Sequence, residues 1–300
     1  MTDAPVRVGT RASKLALSQS AWAARHLGVE FELVHVSTHG DRDQTSPLTQ
    51  IGGTGVFVSA VREALLSGEV DVVVHSLKDL PTAEPDGIRL AAVPPRESPS
   101  DALIARDGLT LETLPAGASV GTGSPRRAAQ LRLQRPDLDV QPIRGNIDTR
   151  IANVTEGRLD AVVLAAAGLN RLGLTDRVTD EFDPTVFLPA PAQGALAVEV
   201  REDDHRFDDA LAALDCPVTR AAVTAERQLL NSLEAGCSAP VAAYAVVDGA
   251  QLRMQAGTYG STAHMLEEAA GPMEDPRQLG RRMAETMLGR GARDLLSEGI

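Results

Sequence analysis

The chain has 300 residues, 43% of them apolar and 23% charged, enough for two or three domains with cores of their own and too apolar to stay disordered. Two cysteines cannot staple a secreted scaffold, and no window approaches the roughly 18 unbroken apolar residues of a membrane helix; both classes are excluded, as is a long coiled coil. The opening MTDAPVRVGT has neither the basic nor the apolar region of a leader, so a reducing cytoplasm is the expected location.

The net charge of −12 is uneven. Residues 1–116 hold 15 acids and 10 bases, residues 117–171 hold 5 and 8, and residues 172–300 hold 21 and 11. Only Lys14 and Lys78 are lysines; the other 27 bases are arginines. An acidic chain lacks the broad basic face that nucleic acid requires, whereas a local arginine cluster suits a small polyanion.

In chain order, β-rich runs at 6–10, 31–36, 71–76 and 89–93 alternate with helical stretches, the pattern of a parallel sheet with crossover helices. A Pro/Ser-rich stretch at 94–100 reads as a hinge. A second series follows at 102–105, 119–122, 140–144 and 161–165, then the crossing APAQG at 190–194 and an apolar strand at 195–200. From about Pro217 the pattern changes to a helix at 219–233, strands at 242–247 and 252–259, and a helix over 276–296. A faint repeat links Val8-Gly9-Thr10 to Val120-Gly121-Thr122, and GEVDVVV at 68–74 to GRLDAVV at 157–163. The expected fold class is α/β: two doubly wound domains facing a cleft, plus a small C-terminal α+β domain, with ligands beyond the carboxyl ends of the strands.

Three strand-to-helix junctions carry one device. Ser13 in GTRASK, Ser124 in GTGSPRR and Asn146 in RGNIDTR are each placed to cap a helix, with arginines close by and Pro125 suited to a first helical turn. Open N–H groups and a positive helix end make each a potential anion site, and arginine adds a bidentate fork. His75-Ser76-Leu77-Lys78-Asp79 closes a strand, where Asp79 could steady a developing cation and handle protons; His75 is read as packed against a neighbour. Cys237, in the small-residue loop EAGCSAP, is placed as a nucleophile or attachment point, while Cys216 is read as structural. Neither cysteine has a CxxC partner, so no metal is expected. The glycine-rich 51–57 fits neither a P-loop nor a dinucleotide turn and reads as a flap; Glu267 and Glu268 read as a solvated face.

The segments VGTRAS, GGTGVF, VDVVVHSLKDLP, VGTGSPRR, PIRGNIDTR, LAAAGLNRLGL, LPAPAQGALAVE, TAERQLLNSLEAGCSAPV and GARDLL together resemble the porphobilinogen deaminase (hydroxymethylbilane synthase) family over almost the whole chain. That resemblance implies stepwise condensation of four porphobilinogen molecules with loss of ammonia, on a dipyrromethane cofactor held by a thioether to Cys237. It implies Asp79 as catalytic acid/base; Ser76, Lys78, Thr122, Ser124, Arg126, Arg127 and Arg150 as cofactor-binding; and Arg11, Ser13, Gln19, Arg144, Arg171 and Gln193 as substrate-binding. It further implies domains at 1–95 with 195–215, at 100–190 and at 217–300, the first two of the kind found in two-lobed solute-binding proteins. A monomer is implied, with possible hand-over of product to uroporphyrinogen-III synthase and no membrane or nucleic-acid partner. Gln50 and Thr54 stand where the family often has flap lysines, so other arginines or salt must meet those carboxylates. The competing reading is a non-catalytic two-lobed receptor for a carboxylated ligand, since fold alone does not decide function.

Overall fold

The structure, a computed structural model, describes residues 4–36, 55–236, 238–261 and 263–297. The chain opens with β1 (Val6–Thr10), α1 (Lys14–His26), β2 (Phe31–His35), α2 (Gly55–Leu66), β3 (Val72–Ser76) and β4 (Ile88–Ala92). It continues through β5 (Asp101–Ala105), β6 (Ser119–Thr122), α3 (Pro125–Gln134), β7 (Asp139–Pro142), α4 (Ile147–Thr155), β8 (Ala161–Ala165), α5 (Ala166–Arg171) and β9 (Asp180–Glu181). There follow β10 (Leu196–Arg201), α6 (Asp208–Leu214), α7 (Pro217–Ser232), β11 (Val241–Asp248), β12 (Gln251–Tyr259), β13 (His264–Pro272), α8 (Pro276–Gly289) and α9 (Ala292–Ser297). Two compact units result, one from Met1–Arg96 with Ala195–Arg220, the other from Glu97–Gly194 with Ala221–Ile300.

The first unit holds a five-stranded sheet in the order β2-β1-β3-β10-β4. Strands β1, β2 and β3 run parallel, and β10 lies antiparallel between β3 and β4. Alternation along β3 divides its side chains between two helices. Val72 and Val74 pack with Ala23 and Ala24 of α1, while Val73 packs with Val61, Ala64 and Leu65 of α2.

The second unit repeats this plan in the order β7-β6-β8-β5-β9, with β6, β7 and β8 parallel and β5 antiparallel between β8 and β9. The sequence repeat therefore falls on equivalent strands, β1 with β6 and β3 with β8. Its shared aspartate has one task in both halves. Asp71 accepts the Arg7 N–H at 3.0 Å and Asp160 accepts the Ser119 N–H at 2.7 Å, each satisfying the backbone of the neighbouring strand. Leu131 of α3 packs on one face of this sheet, with Leu103, Val120 and Val163. Val154 of α4 packs on the other, with Ala102, Val162 and Leu164.

Within the second unit the C-terminal segment forms the antiparallel sheet β11-β12-β13, packed by Leu229, Met254, Leu279 and Met283. Strand β13 is absent from the sequence-based expectation, because only Met265 and Gly271 of it are buried and its alternation is faint. Glu267 sits on it, half-buried against Arg290, while Glu268 is exposed and accepts from Gln255 Nε2 at 2.7 Å. The helix expected over 276–296 is two helices, broken where Gly291 takes φ +94°.

Candidate functional site

Parallel pairing of β1 and β3 brings their carboxyl ends to one edge of the first sheet, gathering Arg11, Ser13 and Ser76–Asp79 there. Ser13 caps α1, its Oγ accepting the Ala16 N–H at 3.2 Å. Beyond β3, Leu77–Asp79 forms one 3-10 turn anchored by the buried Leu77, whose N–H reaches Ala195 O at 3.0 Å. That anchor leaves Asp79 exposed and Lys78 half-buried. The buried Gln19 of α1 donates Nε2–H to Ser76 Oγ at 2.9 Å, holding the strand end from one face.

On the opposite face lies a cluster that sequence reasoning did not single out. Glu199 of β10 is 2% exposed and accepts two hydrogen bonds from Arg62 of α2, at 2.9 and 2.6 Å, with His75 Nε2 3.5 Å from its Oε2. Burial pushes the Glu199 carboxyl up, but its interactions with His75 and then with Arg62 overcome this and hold it at about 2. His75 is thus packed against a neighbour, as expected.

At the corresponding edge of the second sheet, Ser124 caps α3 by accepting the Arg127 N–H at 3.4 Å, and Pro125 fills the first turn. Asn146 caps α4 by accepting the Thr149 N–H at 2.9 Å. All three expected caps are present. Thr122 is buried and accepts the Ser124 N–H at 3.2 Å.

Beneath that junction Asp101, fully buried, is met by Arg126 Nη1 at 2.8 Å, by Arg127 Nη2 at 2.6 Å and by Gln193 Nε2 at 2.8 Å. Burial raises the Asp101 pKa, yet the two guanidinium charges outweigh it and hold the carboxyl well below the usual range. Arg126 also donates to Leu188 O at 2.6 Å and Arg127 to Val163 O at 3.2 Å. Arg126 and Arg127, expected to touch cofactor, and Gln193, expected to touch substrate, are therefore enclosed in this cluster, at 2%, 5% and 0% exposure. Asp101 itself was missed: an acid opening an apolar strand looks like any solvated strand end until its partners are known.

Arg150 is half-buried and donates Nε–H to Gly145 O at 2.8 Å; its guanidinium would lie 3.5 Å from a Cβ at Gly123. Burial, then the like charge of Arg127, lower its pKa, and no carboxylate among the described residues pairs with it. Arg171 is likewise desolvated, the effect partly offset by Glu97, and donates to Gly194 O at 2.7 Å. Arg144 is exposed at the end of the β7 loop. Arg126 and Arg127 share one aspartate and Arg150 stands near Arg127, so positive charge is unbalanced at a helix N-terminus, which a ligand with several carboxylates would neutralise.

Cys237 and the loop with Gln50 and Thr54 lie outside the described residues. Beside Cys237, Ala239 N–H bonds Gly236 O at 2.9 Å. Among the described residues, no group of three His, Cys, Asp or Glu could hold a metal, and no helix is long and apolar enough to cross a membrane.

Two family models cover the chain: "Porphobilinogen deaminase, dipyromethane cofactor binding domain" over residues 6–209 and "Porphobilinogen deaminase, C-terminal domain" over residues 220–289. The chain is 53% identical to the porphobilinogen deaminase of Leifsonia xyli, covering 97% of this chain and 94% of that protein. It is 51% identical to porphobilinogen deaminase 1 of Streptomyces coelicolor, covering 99% of each. Among solved structures it resembles a putative methionine-binding lipoprotein of Bacillus subtilis, at 11% identity and TM-score 0.41 over 72% of this chain and 92% of that one. On two models that span both sheets and the C-terminal segment, and on relatives matched end to end, the chain belongs to the porphobilinogen deaminase family.

Proposed function

We propose that the chain joins four porphobilinogen molecules in succession, releasing ammonia at each coupling and hydroxymethylbilane at the end, with Asp79 as acid/base and Cys237 as the thioether anchor of its dipyrromethane. The observation that carries this reading is Arg150, desolvated beside Gly123 and facing the like charge of Arg127; among the described residues Asp101 is the acid that pairs with Arg127, and none pairs with Arg150. Each pyrrole ring bears an acetate and a propionate, so the bound chain grows from four to twelve carboxylates; unbalanced arginine charge suits that donor set.

When bound, the dipyrromethane supplies the nucleophilic pyrrole carbon to which the first substrate is joined. Arg150, with Thr122 and Ser124, would hold its carboxylates, the buried Arg127 adding its charge from within the Asp101 cluster; Ser76 and Lys78 are assigned to the same group. Arg126 would support Arg127 from behind, sharing Asp101 with it. Arg11, Ser13, Arg144 and Arg171 are assigned to substrate carboxylates, Gln19 to fixing Ser76 beside them, and Gln193 to holding Asp101.

Loss of ammonia from porphobilinogen leaves a cation spread over its pyrrole nitrogen. A carboxylate fixed at a strand end stabilises such a charge without reorganising, and can then take the proton released on coupling. Asp79 has the exposure for both tasks, on a turn whose anchor Leu77 is fully buried. The protein is assigned to the cytoplasm as a monomer, with product handed to uroporphyrinogen-III synthase.

Ammonia and tetrapyrrole released from porphobilinogen test the reading. Wild type should release one ammonia per substrate consumed, and Asp79→Asn should turn over about 10²- to 10⁴-fold more slowly. An Asp79→Asn protein within threefold of wild type would refute the assignment.

A further inference from the structure

The two residues before the Asp79 turn point to opposite faces of the first sheet, and each is held from its own side. Ser76 continues the α1 face and receives the Gln19 hydrogen bond at 2.9 Å. His75 continues the α2 face. Because β10 runs antiparallel to β3, Ala197 lies opposite His75 and Glu199 opposite Val73, which puts Glu199 and His75 on one face, two positions apart. There the buried His75 Nε2 lies 3.5 Å from Glu199 Oε2, within ion-pair range but without a hydrogen bond, and Arg62 grips the same carboxylate twice.

The surroundings make this arrangement costly. Val61, Ala64, Leu65, Val73 and Ile88 form an apolar cluster on the same side of the sheet, and the Glu199, Arg62 and His75 side chains are 2%, 13% and 10% exposed. Apolar residues of similar volume would stabilise such a site as well or better, so what a buried ion pair adds is geometric definition. Its location says what is defined, since His75 is followed directly by Ser76, the last residue of β3, and by the Leu77–Asp79 turn.

We propose that Glu199, backed by Arg62, is a positioning residue for the catalytic turn, fixing the His75 imidazole and through it the backbone that presents Asp79. The inference rests on Asp79 being the acid/base.

Full-length Glu199→Gln, Arg62→Gln/Glu199→Gln and His75→Asn proteins test it. Intact mass gives the fraction of chains carrying a two-pyrrole adduct, and kcat is expressed per loaded chain, alongside KM for porphobilinogen and the melting temperature. In all three, kcat per loaded chain should fall about tenfold or more with KM changed less than twofold, as expected of a displaced reacting group. The double variant leaves no lone buried charge and so keeps the test open if Glu199→Gln does not fold. A purely structural role would lower the melting temperature and the loaded fraction while kcat per loaded chain stays at the wild-type value, and that result overturns the proposal. Asp79→Asn separates the two readings. If it is active, the role of Asp79 falls; if it is inactive while the three variants turn over normally, only the positioning role falls.

Discussion

Removing the charge of Asp101 while keeping its shape should be among the most damaging single changes in the second unit. Asp101→Asn leaves Arg126 and Arg127 buried with no carboxylate between them, where the wild-type oxygens sit 2.8 and 2.6 Å from their Nη atoms. Breaking a buried pair from one side costs about 3–5 kcal/mol, because the remaining charge keeps its desolvation penalty. Leu188 O, Val163 O and Gln193 Oε1 still accept from the two guanidinium groups, which places the expected cost near 3 rather than 5 kcal/mol. For a unit of this size that is a fall of roughly 6–12 °C in melting temperature, at about 2–4 °C per kcal/mol. The sign with pH follows from the depressed folded-state pKa. The wild-type contribution is complete above the ordinary aspartate value of about 3.9 and is lost as pH falls through a much lower one, so the gap between wild type and variant should narrow below about pH 4. Thermal melts at pH 7 and pH 3 measure both. A drop under about 3 °C at pH 7, or a gap that does not depend on pH, would refute the view that Asp101 balances a desolvated arginine pair.

Glu199 should leave a similar mark on acid stability. Its pKa of about 2 in the fold, against an ordinary 4.5, corresponds to stability on the order of 3 kcal/mol, present above about pH 4.5 and lost as pH falls toward 2. Urea midpoints from pH 6 down should therefore converge for wild type and Glu199→Gln, and parallel curves would contradict the assignment. Gly123→Ala would set a methyl 2.8 Å from Ile143 O and against the Arg150 guanidinium; a cost of about 1–3 kcal/mol and a smaller fraction of chains carrying the two-pyrrole adduct by intact mass are expected. Gln19→Ala removes the bond to Ser76 with a stability loss of about 1 kcal/mol, and kcat per loaded chain should fall more than KM rises.

The alternating strands and crossover helices were legible because their signals are local. Apolar runs end on Ser13, Ser124 and Asn146, and each cap forms as its spacing requires. The repeat was legible for the same reason, and its meaning emerged only with Asp71 and Asp160 seen bonding equivalent strand starts. Strand β13 was hidden because its neighbours, not its own pattern, make it a strand. The buried acids were hidden more deeply. Asp101 and Arg127 are 26 positions apart and Arg62 and Glu199 are 137 apart, so only folding shows that these charges neutralise one another. The family resemblance implied Arg126, Arg127 and Gln193 as ligand contacts, whereas the fold encloses all three with Asp101.

The account stands most directly on the intact mass of the purified chain, taken before and after brief incubation with porphobilinogen. It predicts a starting mass above that of the bare chain by a two-pyrrole unit, absent from Cys237→Ser, and further species each heavier by one pyrrole ring after incubation. A bare-chain mass that does not change on adding porphobilinogen would contradict it.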